Sequence, residues 1–271
     1  MVPPSWPSWA FMWALSLAIY FGCKWLTWRR TPVHGVPWWQ HLAYLFAWPG
    51  LDPAAFLKPR CESSPSRPPA REWFFALGNL ALGLVCFFGL ANRLPAEHPY
   101  AIGWVAMIGI VLMLHFGIFQ LLSCVWRMSG IEARPLMDNP LASVSLSEFW
   151  GRRWNTAFRD LTHRFLFRPL VPWLGPRWAV FAGFVFSGLV HDLVISVPAE
   201  GGYGGPTLYF LLQGAGLLIE RAPIGKRLGL GRSWQGWLFT MVLLLGPVCL
   251  LFHPPFVVGV IVPFLHFAGG D

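Results

Sequence analysis

Residues 100–126 read YAIGWVAMIGIVLMLHFGIFQLLSCVW, a run without a single formal charge. About 20 predominantly apolar residues are enough for a helix to cross the hydrocarbon of a bilayer. The same reading extends outward in both directions. Residues 73–92 and 234–252 are also uncharged, and 178–197 hold only Asp192. Residues 9–28 hold only Lys24, near the end of the run, where a long side chain is expected to snorkel to the interface. Residues 206–219 form a sixth run, which reaches spanning length only with its Gly-rich flank.

Composition agrees with this reading. Of 271 residues, 55% are hydrophobic and 12% charged, about half the charge of an ordinary soluble domain. There is too much apolar surface for a disordered chain and too little polar surface to cover a soluble globule. The net charge of +8 is explained by topology rather than by nucleic acid, because it collects between the apolar runs. The stretches 29–72, 127–177 and 221–233 carry six, eight and four Lys or Arg; 93–99 carries one and 198–205 none. Such alternation predicts six spanning helices with the basic loops cytoplasmic and the N-terminus outside. The first run lacks a basic leader and a cleavage site, so it is expected to stay as an anchor.

Other segments are expected to lie on or dip into the membrane. Residues 37–57 are apolar but begin and end on the basic side, and 254–268 are short for a span. Residues 145–174 mix Trp and Phe with Arg, which suits an interfacial segment. Pro59–Pro69 reads as a polar loop. The fold class is therefore all-α and polytopic, with about six spans plus re-entrant or interfacial pieces in one membrane-embedded domain, 1–271. Five dispersed cysteines without a CxxC, and eight scattered histidines, suggest neither a disulfide framework nor a metal site.

Ionisable groups inside hydrocarbon are the first candidates for function. His191 lies 14 residues past Arg177, about 21 Å along an ideal helix, and Asp192 follows it. A histidine at this depth serves equally well as a hydrogen-bonded packing residue. Ser187, one turn earlier, shares its face, and Gly183 and Gly188 leave room for a neighbour or ligand. A Ser187–His191 nucleophile pair has the right spacing, but a helical serine usually bonds its own backbone. Asp192 points about 100° away from His191 and is expected to pair with another helix. His115 reads as structural. Asn155, ending FWGRRWN (149–155), has an amide able to orient a carbonyl; taken alone it is a turn or cap residue. Proton relay in a transporter, or a membrane scaffold, remains a competing class at this point.

Three blocks taken together resemble the wax-synthase-like branch of the membrane-bound O-acyltransferase superfamily: SLSEFWGRRWN (145–155), FRPL (167–170) and FSGLVHDL (186–193). In that family an Asn in an FW-type motif precedes an intramembrane His by a few tens of residues; here 36 residues separate Asn155 from His191. YLFAWPGLDP (44–53) and GYGGPTLYFLLQG (202–214) extend the likeness. The chain is shorter than many members, so helices present elsewhere can be missing here.

The resemblance implies acyl transfer from acyl-CoA to an acceptor hydroxyl, most simply a long-chain alcohol, with 145–197 as the catalytic block. Diacylglycerol, sterol, sugar or protein acceptors occur in the same superfamily. It makes His191 the base and Asn155 the group that positions the thioester or acceptor. Arg152, Arg153, Trp154, Ser187 and Asp192 become substrate-binding candidates, the arginines for CoA phosphates or, equally, for anionic lipid. No bound cofactor is implied beyond acyl-CoA as co-substrate. For Asn155 to act with His191, the segment 145–174 must fold inward.

Overall fold

The computed structural model describes residues 6–58 and 67–269, and all regular elements among them are helical. Most of the expected Pro59–Pro69 loop thus lies outside the described residues. Five helices are long and apolar enough to cross a membrane: α1 (Ser8–Arg29), with the short α2 (Trp38–Ala47) after it, then α3 (Ala70–Arg93), α4 (Pro99–Met128), α5 (Thr156–Ala199) and, beyond the 17-residue α6 (Gly205–Arg221), α7 (Ser233–Leu251). The protein is an integral, multi-pass membrane protein. The sixth expected span is α6, about 26 Å long at 1.5 Å per residue and so slightly short of full thickness. The apolar α8 (Pro254–Gly269) follows. With 10 residues, about 15 Å, α2 cannot cross.

The described residues pack as two compact units. One comprises residues 17–58, 67–137 and 156–161. Here α3 and α4 run antiparallel and touch through glycine. A Cβ on Gly83 would lie 2.8 Å from the Gly109 carbonyl, and one on Gly109 would lie 2.9 Å from that of Gly83. Small residues permit this close approach where lipid offers no hydrophobic drive. At one end of the pair Glu72 is bridged to Arg127 and accepts from Gln120 Nε2 at 3.0 Å. α4 stops at Gly130 (φ 78°), where Ile131 and Gly130 donate back to the Trp126 and Arg127 carbonyls, the usual glycine helix ending.

Lys24 does not snorkel. It is completely buried, donates to the Gly50 carbonyl and sits 3.6 Å above the Tyr44 ring. A carbonyl and an aromatic face replace water around the ammonium, and they fix the 44–53 segment against α1. Asp52 then caps the one-turn helix Pro53–Phe56 through the Ala54 and Ala55 amides.

The second unit holds residues 6–16, 138–155 and 162–269. In it α5 breaks at Gly175 (φ 72°, ψ 165°), between Pro172 and Pro176. This break separates the Arg- and aromatic-rich arm from the apolar span, where the sequence changes character. The span then crosses α6 closely. A Cβ on Gly188 would lie 2.7 Å from Thr207 Cα, and one on Gly214 would meet Phe181 at 2.8 Å. Trp9 packs against Phe264 and Phe267 of α8.

Several helices widen locally to bonding five residues back. Two of these turns matter for the site: Phe149–Arg153, closed by Trp154 N–H to the Phe149 carbonyl, and Asp192–Ser196, closed by Val197 N–H to the Asp192 carbonyl. Such turns often occur at functional sites because they redirect a few side chains without ending the helix.

Candidate active site

His191 stands on α5 with Nδ1 2.7 Å from the Ser187 carbonyl. A carbonyl can only accept, so Nδ1 carries the proton, and the neutral ring keeps its lone pair on Nε2. This is the tautomer a general base requires. It also rules out the Ser187 nucleophile pair: the ring nitrogen facing Ser187 meets the backbone oxygen, not the hydroxyl. The imidazole lies against Phe210 of α6, with centroids 4.5 Å apart.

Asp192 pairs with another helix, as expected, and the partner is the start of α6. One carboxylate oxygen accepts from the Gly204 amide (2.9 Å) and Ser196 Oγ (2.8 Å); the other accepts from the Thr207 amide (3.0 Å) and its hydroxyl. The carboxylate satisfies N–H groups that a helix start leaves open. As a substrate-binding candidate it is therefore already occupied by the protein's own donors, and its work is to lock α5 to α6 beside His191. His253 completes this knot. Its Nδ1 accepts from Phe256 N–H (3.2 Å), so Nε2–H faces Ser196 Oγ at 3.2 Å. Burial pushes the His253 imidazole below its ordinary pKa, against the pull of Asp192, and the ring stays neutral. A Cβ on Gly202 would collide with that ring. The glycine of GYGGP thus makes room for His253. The sequence signal for His253 was faint: one histidine before Pro254–Pro255, between two apolar runs.

The FWGRRWN segment is held by caps from two directions. Ser145 Oγ accepts from Glu148 N–H at 2.9 Å, and Glu148 accepts from Val144 N–H at 2.9 Å, a reciprocal arrangement close to a capping box. Glu220 reaches over from α6, buried, and accepts from the Leu146 and Ser147 amides at 2.6 and 3.3 Å. Glu148 also binds Arg153 Nε at 2.9 Å, while Arg153 donates to the Asp138 and Asn139 carbonyls at 3.1 and 3.3 Å. Burial would raise the Glu148 carboxyl, but the Val144 amide, Arg153 and Arg152 outweigh it and hold it below its ordinary value. The two arginine candidates therefore separate. Arg153 is part of the scaffold, whereas the Arg152 side chain is 73% exposed and only 3.6 Å from Glu148.

Trp154 stacks on Phe149 across the wide turn, at 5.7 Å and 11°. Asn155 follows with φ 42°, a left-handed position that Asn tolerates better than most residues.

The residue joining this segment to His191 is Trp150. Its ring meets Phe210 at 5.6 Å and Phe184 at 5.9 Å. Phe184 lies two turns before His191 on the same face of α5. Indole and imidazole thus rest on one ring, Phe210, and the 149–153 part of the segment does fold inward. Trp150 Nε1 is buried and has no hydrogen-bond partner among the described residues. One turn beyond Phe210, Gln213 donates to the Leu243 carbonyl at 2.6 Å and leaves its buried Oε1 without a partner. Each such group costs about 1–3 kcal/mol when left unmade. Reading the sequence alone missed Trp150, Phe210 and Gln213, although the first lies in the motif and the others in LYFLLQG. His115 belongs to the other unit, where it contacts Phe119. No metal-ligating group of three His, Cys, Asp or Glu occurs among the described residues.

Residues 133–212 match the model of a family described as membrane bound O-acyl transferase. The chain is 35% identical over 79 residues to an acyl-CoA–sterol O-acyltransferase of Arabidopsis thaliana, covering 27% of this chain and 23% of the relative. It is 30% identical over 147 residues to a probable long-chain-alcohol O-fatty-acyltransferase of the same plant, covering 46% and 40%. It is 35% identical over 72 residues to a long-chain-alcohol O-fatty-acyltransferase of Simmondsia chinensis, covering 24% and 20%. The matched part thus spans well under two thirds of each of these relatives.

Proposed function

We propose that this chain, whose residues 133–212 match the model of the membrane bound O-acyl transferase family, transfers a fatty acyl group from acyl-CoA to the hydroxyl of a long-chain alcohol. The observation that carries the reading is the His191 ring: Nδ1–H tied to the Ser187 carbonyl, Nε2 left basic, and the motif's Trp150 packed on the same Phe210.

Nε2 takes the proton of the alcohol as its oxygen attacks the thioester carbonyl carbon. The new C–O bond forms, the C–S bond breaks, and the CoA thiolate leaves with the proton that His191 returns. Such a base contributes about 10²–10⁴-fold. Asn155 orients the thioester or acceptor. Arg152, exposed and loosely paired, meets CoA phosphates. Ser187 acts through its carbonyl, Asp192 and Arg153 hold the frame, and Trp154 braces the turn that presents Asn155. The reaction needs no resident cofactor. Basic loops face the cytoplasm, where acyl-CoA is made, and the N-terminus lies outside. The apolar surroundings hold the acyl chain and keep water from the thioester. A sterol acceptor is the second reading, because a sterol acyltransferase is among the relatives.

Purified protein in lipid nanodiscs, given labelled palmitoyl-CoA with hexadecanol, diacylglycerol, sterol or sugar, is expected to form labelled wax ester. His191→Ala should lower turnover by about 10²–10⁴-fold while inserting and purifying normally. A fully active His191→Ala protein would overturn the mechanism. Label on sterol alone would move the acceptor to the second reading.

A further inference from the structure

We propose that the Trp150 indole N–H is a catalytic donor, bonding the carbonyl oxygen of the acyl thioester and holding the oxyanion that forms there. The inference rests on the acyl-transfer reading and adds a group that sequence motifs do not assign.

The other polar groups described in this segment are engaged. Ser145 Oγ takes the Glu148 amide, the Glu148 carboxylate takes the Val144 amide, Glu220 takes two amides, and Arg153 is bound on three sides. Trp150 Nε1 alone among these is buried with no partner. It is also held rigidly. The wide turn is closed by the Trp154 amide, anchored below by Glu220, and the ring is wedged between Phe149, Phe184 and Phe210. A fixed, dry donor is what stabilises a charge appearing only in the transition state.

The chemistry of the group narrows its partner. An indole donates and never accepts, so it cannot take the alcohol's proton or serve as base. A bond to the attacking hydroxyl oxygen would make that oxygen a poorer nucleophile. The carbonyl oxygen, where negative charge accumulates, is the atom it helps. His191, against the same Phe210 ring, handles the proton, and the indole handles the oxygen. Gln213 Oε1, one turn from Phe210 on α6, is likewise buried with no partner among the described residues.

The test uses two unreactive acyl-CoA analogues and Trp150→Phe in the full chain. One analogue keeps the carbonyl but replaces sulfur with methylene; the other is an S-alkyl-CoA without a carbonyl. Trp150→Phe should weaken the ketone analogue about five- to tenfold and leave the S-alkyl analogue within about twofold. On acyl-CoA it should lower kcat about 10²–10³-fold with KM little changed. Equal effects on both analogues, or no effect on the ketone, would overturn the proposal and leave Trp150 a packing residue. Where Trp150→Phe does not fold, replacing Trp150 with benzothienylalanine removes the N–H and keeps the ring shape, with the same two outcomes. Wild-type protein that binds neither analogue would refute the acyl-CoA reading itself, and this proposal with it.

Discussion

At the scale of the residue, Asn155 joins an observed backbone role to a proposed chemical one, and different substitutions separate them. Its backbone sits at φ 42°, where a Cβ-bearing residue other than Asn or Asp pays about 1–2 kcal/mol and glycine nothing. Its amide is the proposed positioning group. Asn155→Gly keeps the turn and removes the amide; Asn155→Ala removes the amide and strains the turn. Both should lose turnover to a similar extent, while only Asn155→Ala should also melt earlier in thermal denaturation. An active Asn155→Gly protein would reduce Asn155 to a turn residue. The place of His191 within an apolar helix is legible in the sequence, because a histidine in a run of some twenty mostly apolar residues stands out; its aromatic neighbours Phe210 and Trp150 are not. Its tautomer is not, since that depends on which backbone oxygen the ring meets. Lys24 shows the same limit in reverse. Its place in the run suggests an interfacial end, yet its partners come from Tyr44 and Gly50, residues that only folding brings near.

At the scale of the element, charge-free runs reveal spans because hydrocarbon forbids unpaired charge, and Gly175 between two prolines marks the break in α5. The wide turns at 149–153 and 192–196 leave no such mark. Each adjoins a tertiary contact, Glu220 on the Leu146 and Ser147 amides and Asp192 on the start of α6, and no local residue pattern encodes the wide bonding. The 145–153 turn consequently depends on carboxylates. The folded pKa of Glu148 lies below the ordinary 4.5, so its stabilising contribution is complete above that value and is lost as pH falls through the folded pKa. Amides around 144–153 should therefore lose protection in hydrogen exchange, corrected for intrinsic rate, as the medium is acidified below about 4.5. Glu148→Gln should show the loosened pattern already at neutral pH and little further change on acidification. Unaltered protection in both experiments would mean that Glu220 alone holds the turn.

At the scale of the whole molecule, the order of the spans depends on α6. Eight of its residues are buried, among them Gln213 and Glu220, so it lines the interior of its unit and need not match lipid thickness by itself. Its length of 17 residues falls just below a comfortable crossing, but charge argues for one: 198–205 has no Lys or Arg, and 221–233 has four. A helix whose ends differ in this way orients with the basic end inward. The proposed topology then requires Glu200 outside and Arg227 inside; both residues are exposed. In a chain whose five cysteines are replaced, Glu200→Cys should react with a membrane-impermeant maleimide on intact cells, and Arg227→Cys only after permeabilisation. The reverse order would invert the orientation and put the basic loops opposite the acyl-CoA supply. Labelling of both from one side would lay α6 in the plane of the membrane, and the α5–α6 knot around Asp192 would then sit at the surface instead of closing the non-basic end of a span.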